Sequence, residues 1–136
     1  MSHDSRRQQR NRWGIVLAYM TALFVLSSIP NPPDLERPGS DKVIHSVLYA
    51  GLAVVTARAL ARGRWFDIRF AHALGALLIA VVYGAFDEFH QSFVAGRTSS
   101  LGDLGADTLG AAVTAVGLWV WGILSGKMRS EKSEVR

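Results

Sequence analysis

Cysteine is absent from the 136 residues, which removes disulfides, thiolate catalysis and cysteine-ligated zinc together and leaves the redox compartment unread. Charge is sparse as well: Asp, Glu, Lys and Arg make up 19% of the chain, against 49% hydrophobic residues. A soluble helical domain interrupts its apolar residues with a polar face every three or four positions. Such interruptions are missing from four long stretches here, and the mean hydropathy of +0.18 is high for a chain with two polar ends. The length allows one domain, no internal repeat is visible, and the class is a membrane protein. The excess of 15 basic over 11 acidic residues lies in short segments beside the apolar runs, which suits a membrane surface and excludes nucleic acid as the partner.

Four spans are predicted. A polar arm, residues 1–12, carries Arg6, Arg7, Arg10 and Arg12 and leads into an apolar stretch over 13–29. Its 17 residues cover roughly 26 Å, slightly under the hydrocarbon thickness. Pro30, Pro32 and Pro33 end it. A cleaved signal peptide is the competing reading. Against it, the run is longer than a signal core, no small-x-small site precedes the prolines, and Arg6-Arg7 lacks the rest of a twin-arginine signal. The second span covers 43–61 behind a cap at Ser40 or Asp41, the third 71–93 and the fourth 103–124, inside a membrane domain of 13–125. A charged tail, 126–136, is expected to lack fixed structure. Short connections predict an all-α, up-and-down four-helix bundle.

Twelve of the fifteen Lys and Arg fall in the N-terminal arm, around the second link (Arg58, Arg62, Arg64, Arg69) and in the tail (Lys127, Arg129, Lys132, Arg136). Only Arg37, Lys42 and Arg97 belong to the other two links. Positive charge is retained in the cytoplasm, so both termini are expected there, in a cytoplasmic membrane. Trp13, Trp65, Trp119 and Trp121 fall at the same predicted boundary, where an indole buries its ring and keeps its N–H among headgroups.

With that orientation, Asp41, Lys42, His45, Tyr49, Tyr83, Asp87, Glu88, Gln91, Arg97, Asp103 and Asp107 all lie at or just below the outer interface. Asp41, His45 and Tyr49 recur every four residues, as do Tyr83, Asp87 and Gln91, and Asp103 and Asp107, so each set shares a helical face. A carboxylate facing lipid costs several kcal/mol, which turns Asp87 and Asp107 inward and predicts a polar cup open to the outside. Ala106, Gly110 and Thr114, with Ala111 and Ala115 beside them, form a small-residue stripe that seats the fourth span closely; common membrane-helix composition explains the stripe equally well.

The series Asp41-Lys42-x-x-His45-x-x-x-Tyr49, then Tyr83-Gly84-x-x-Asp87-Glu88-x-x-Gln91-x-Phe93, then Arg97, Asp103, Asp107 and Gly110 resembles the VanZ-like family of bacterial membrane proteins across about residues 41–110. Thr108 stands where that family often has asparagine, so no side-chain amide is carried over there, and His90 is not a usual motif member. The resemblance implies a four-helix membrane protein, linked in the founding member to resistance to teicoplanin, a lipophilic glycopeptide that binds cell-wall precursor outside the membrane. It implies no settled reaction.

Each of these residues also has a plain structural reading. Asp41 can cap the second span, and Ser100-x-x-Asp103 resembles a capping box. His45 can titrate, bind metal or simply hydrogen-bond a carboxylate. Asp87 can pair with Arg97 or Lys42 to fix two helices. Asp87 and Glu88 diverge by about 100° on a helix, so Asp87 is assigned inward and Glu88 is expected to meet water. His3 and His72 fall on the cytoplasmic side and are read as incidental.

Three functions remain open. The cup can bind an anionic lipid headgroup or cell-wall precursor through Arg97, Lys42 and His45. It can be an enzyme, with Asp87 or Glu88 as base, His45 as acid or base, and a divalent cation on Asp41, Asp87, Asp103 or Asp107, although no nucleophile motif or known metal spacing is present. Or the bundle can be a scaffold or partner subunit. A transporter fits less well, because polar groups occur at one side only.

Overall fold

The computed structural model describes residues 3–30, 40–97 and 99–134. Pro32, Pro33, Arg37, Arg136 and the Ser40 side chain, all used in the sequence reading, lie outside the described residues. Among the described residues the chain is all-helical: α1 (His3–Ser27), α2 (Ser40–Leu60), α3 (Phe70–Gln91) and α4 (Leu101–Glu134), with a single 3-10 turn, Trp65–Asp67, between α2 and α3.

Three of these helices contain segments long and apolar enough to cross a membrane: Asp41–Leu60, Phe70–Gln91 and Leu101–Ser130, with mean hydropathy 1.6 to 1.7. Helix α1 is not among them. Its apolar part runs only from Trp13 to Ser27, roughly 22 Å of helix.

Two ends differ from the sequence reading. The basic arm is helical from His3, and the charged tail continues α4 to Glu134 instead of ending at Leu124. Neither segment contains proline, and Gln, Arg, Lys and Glu are good helix formers, so nothing breaks a helix that packing has already nucleated.

Packing is inverted relative to a soluble bundle. The interior is built from small residues, including Ala53, Ala57, Ala76, Ala80, Ala111 and Ala115, with Leu52, Val16 and Tyr49 among the few large ones. Val47, Leu78, Val82, Phe86, Leu109 and Val113 point outward. Lipid tails are as apolar as Leu, so burying large side chains adds little, whereas close backbone approach adds dispersion contacts. The most intimate pair is α2 with α4. A Cβ at Gly110 would overlap the carbonyl of Ser46, so α4 can lie against α2 only because residue 110 has no side chain. The small-residue stripe is therefore a packing surface.

Helix α1 packs chiefly on α2 and is fastened by hydrogen bonds. Tyr19 Oη donates to the Leu48 carbonyl at 2.9 Å and Tyr83 Oη to the Met20 carbonyl at 2.6 Å. His90 bonds Ser28 at 2.9 Å and stacks on Phe24 with ring centroids 4.3 Å apart.

Successive helices alternate in direction. At one end the C-terminal turns of α1 and α3 meet the N-terminal turns of α2 and α4. At the other, Gln9 Nε2 donates to the Ala59 carbonyl and Phe70 and Phe66 lie against Trp119 and Trp121. There α2 closes with Gly63 N–H on the Arg58 carbonyl and Arg62 N–H on that of Ala59, which leaves Arg62 in the left-handed region at φ 54°. Arg58 covers the Trp65 ring, and Arg69, bonded to Asp67 at 3.2 Å, holds that carboxyl below its ordinary range. His72 has a local role at this end, accepting the Arg69 N–H at the start of α3.

Candidate functional site: a buried polar cluster

Part of the polar set expected to converge does so, at the end where α2 and α4 begin. His45, one turn inside α2, bonds Asp107 Oδ1 on α4 through Nδ1 at 3.0 Å. Asp107 is 1% exposed; with its carboxylate ionised, Nδ1 carries the proton and donates. Two further bonds join the same helices: Ser46 Oγ to the Ala106 carbonyl at 2.8 Å and Lys42 Nζ to Asp103 Oδ1 at 2.9 Å.

Asp87 faces inward as expected and is 4% exposed. Its Oδ1 accepts from Ser27 Oγ of α1 at 2.6 Å, and its Oδ2 accepts from Gln91 Nε2 at 3.0 Å and, at the limit of bonding, from Tyr49 Oη at 3.5 Å. Neither Arg97 nor Lys42 pairs with it. Three neutral donors from three helices, rather than a cation, stabilise this carboxylate. Gly84, one turn before it, admits Tyr49 and Asp107 at 3.2 and 3.4 Å from where a Cβ would be.

Glu88 overturns the expectation that it meets water: it is 6% exposed. The turn after α3 folds back so that the Ser100 N–H donates to Glu88 Oε2 at 2.8 Å. This is the N–H that a capping box would offer to Asp103. Ser100 caps α4 through Oγ on the Gly102 N–H at 3.0 Å, while Asp103 is left for Lys42. The other Glu88 oxygen, Oε1, is buried with no hydrogen-bond partner among the described residues.

Other expected members fall outside the cluster. Asp41 lies exposed at the rim, 3.6 Å from Lys42. Tyr83 serves α1 through Met20. Arg97 is not a free guanidinium: Nη2 and Nε donate to the carbonyls of Leu26 and Ile29, at 2.9 and 3.2 Å, capping the end of α1. Of the four acids considered as metal ligands, Asp107 alone joins a compact ligand set. His45, Glu88 and Asp107 each offer a ligand atom, all within 4.8 Å of one another.

Ser27, Ser46 and Ser100 are the site residues that sequence reasoning missed. Ser46 falls in the helix carrying His45, and Ser100 in the recognised capping pattern, but serine is frequent in membrane helices and nothing marked its partners.

These features define a helical membrane protein with a buried, carboxylate-rich polar cluster at one end of its bundle. The sequence matches the VanZ/LLP1 family over residues 4–124, nearly the whole chain, and the chain belongs to that family. Comparison with curated proteins and with solved structures gives no significant match.

Proposed function

We propose that the chain crosses the bacterial cytoplasmic membrane four times, with both termini inside, and that its polar cluster faces outward and binds the phosphate-bearing headgroup of an anionic lipid or cell-wall precursor. The carrying observation is the burial of Asp87, Glu88 and Asp107, with half-buried His45 beside them, in a bundle coated with large apolar residues. Ionisable groups inside membrane helices are costly and mark functional sites. The basic residues and tryptophans at the opposite end support the orientation.

Carboxylates outnumber cations in the cluster, so a bare anion is repelled. A phosphate has to be met by Lys42 at the rim and by positive charge that the acids attract. Lowered susceptibility to a glycopeptide such as teicoplanin would follow if the headgroup belongs to the drug's target. A membrane enzyme acting on that headgroup is the alternative favoured by the closeness of His45 to Glu88 and Asp107, an acid–base set in contact range.

Native mass spectrometry of the purified protein with phosphatidylglycerol, a polyprenyl phosphate or phosphatidylcholine tests the reading. Retention of the first two over the third, reduced in Lys42→Ala, is expected. Equal retention of all three in wild type and variant would leave a scaffold, held by the inter-helix bonds of Ser27, Lys42, His45 and Ser46, as the better account.

A further inference from the structure

A buried carboxylate oxygen without a donor is expensive, and among the described residues Glu88 Oε1 has none. Among the described ion pairs none involves Glu88: Lys42 is engaged by Asp103 and Asp41, and His45 by Asp107. A purely structural residue 88 would need only to accept the Ser100 N–H, which glutamine does without charge. The leftover oxygen belongs to a residue that already shares a 4.8 Å ligand cluster with a histidine and a second buried acid.

We propose that His45, Glu88 and Asp107 form a divalent-cation site. Bonds of about 2.0 to 2.2 Å to nitrogen and oxygen around a tetrahedral centre place ligand atoms about 3.4 Å apart, so atoms that lie within 4.8 Å of one another draw together by up to about 1.4 Å on binding, within reach of side-chain rotation. One imidazole with two carboxylates suits Mn2+ or Zn2+, whereas Mg2+ prefers an all-oxygen shell that keeps its waters. The cation takes the place of the proton that His45 Nδ1 shares with Asp107, which passes to Nε2 of a neutral ring or leaves from an imidazolium, and it satisfies Glu88. Three protein ligands leave at least one coordination position open. His45 is the most exposed of the three, its side chain 18% accessible, and Lys42 lies one turn nearer the start of the same helix.

The role of this cation, meeting the phosphate of a headgroup, rests on the reading given above; the cation site itself does not. Full-length protein in nanodiscs, stripped with chelator, is titrated with Mn2+ and followed by electron paramagnetic resonance and by thermal unfolding. One ion per chain is expected, with nitrogen coupling to the metal that disappears in His45→Gln. Glu88→Gln is expected to weaken Mn2+ by more than about tenfold, yet to unfold at the same or a higher temperature than wild type without metal, because a buried unpaired charge has been removed. Asp107→Asn serves as a second variant, with Asp41→Asn, at the exposed rim, binding Mn2+ normally. Wild-type protein that takes up no ion, or an affinity unchanged in both Glu88→Gln and Asp107→Asn, would overturn the site. One Mn2+ bound per chain with no headgroup retained, whether metal is present or stripped, supports the site and removes the headgroup reading. Headgroup retention that survives chelation overturns the cation's part in it.

Discussion

His45 on α2 and Asp107 on α4 are joined by a 3.0 Å hydrogen bond inside the bundle, Asp107 almost wholly enclosed. The same two helices are held by Lys42 with Asp103 and by Ser46 with the Ala106 carbonyl, so the pair fixes an interface already in register. A double-mutant cycle of His45→Ala and Asp107→Ala, followed by unfolding in detergent, is expected to give a coupling of about 1–2 kcal/mol, the upper part of the range for membrane hydrogen bonds.

Asp87 satisfies its carboxylate with Ser27, Gln91 and Tyr49. An asparagine there turns one acceptor into a donor facing donors. Asp87→Asn is expected to cost about 1–3 kcal/mol and Ser27→Ala about 1 kcal/mol, both read by thermal unfolding. An Asp87→Asn protein as stable as wild type would show that the three donors do not hold the carboxylate.

Gly110 offers a contrast with Gly105 on the same helix. A Cβ at 110 meets Ser46 backbone, which cannot yield, while at 105 it meets nothing within 4 Å. Gly110→Ala is expected to destabilise by at least about 1–3 kcal/mol. Gly105→Ala gains up to about 1 kcal/mol of helix propensity. Unfolding of the two variants side by side checks the α2–α4 geometry independently of any charge.

Arg97 holds the last carbonyls of α1. Its replacement by alanine should free that end, costing about 0.5–1.5 kcal/mol per lost bond and showing as faster hydrogen exchange over residues near 26–29. Headgroup retention should change little. A large loss of retention with unaltered exchange would restore Arg97 as a ligand residue.

Much of this site was legible in the sequence because helical periodicity carries it. The fourfold spacing of Asp41, His45 and Tyr49 and of Tyr83, Asp87 and Gln91 placed His45, Tyr49, Asp87 and Gln91 correctly. Glu88 was misread because periodicity describes α3 alone, whereas the N–H that shelters Glu88 comes from Ser100, on a turn whose path no pattern encodes. Arg97 failed for a similar reason: its partners are backbone carbonyls of another helix, which every sequence possesses. The tail was misjudged on composition, since its charges suggested disorder while its lack of proline let α4 run on.

The central claim is that the buried cluster opens to the outside, and the absence of cysteine makes it directly measurable. Single cysteines at Leu101, 88% exposed at the cluster end, and at Met128, 57% exposed at the other, are treated with a membrane-impermeant maleimide. Leu101→Cys is expected to label in intact cells and Met128→Cys only after permeabilisation; the reverse pattern would contradict the account.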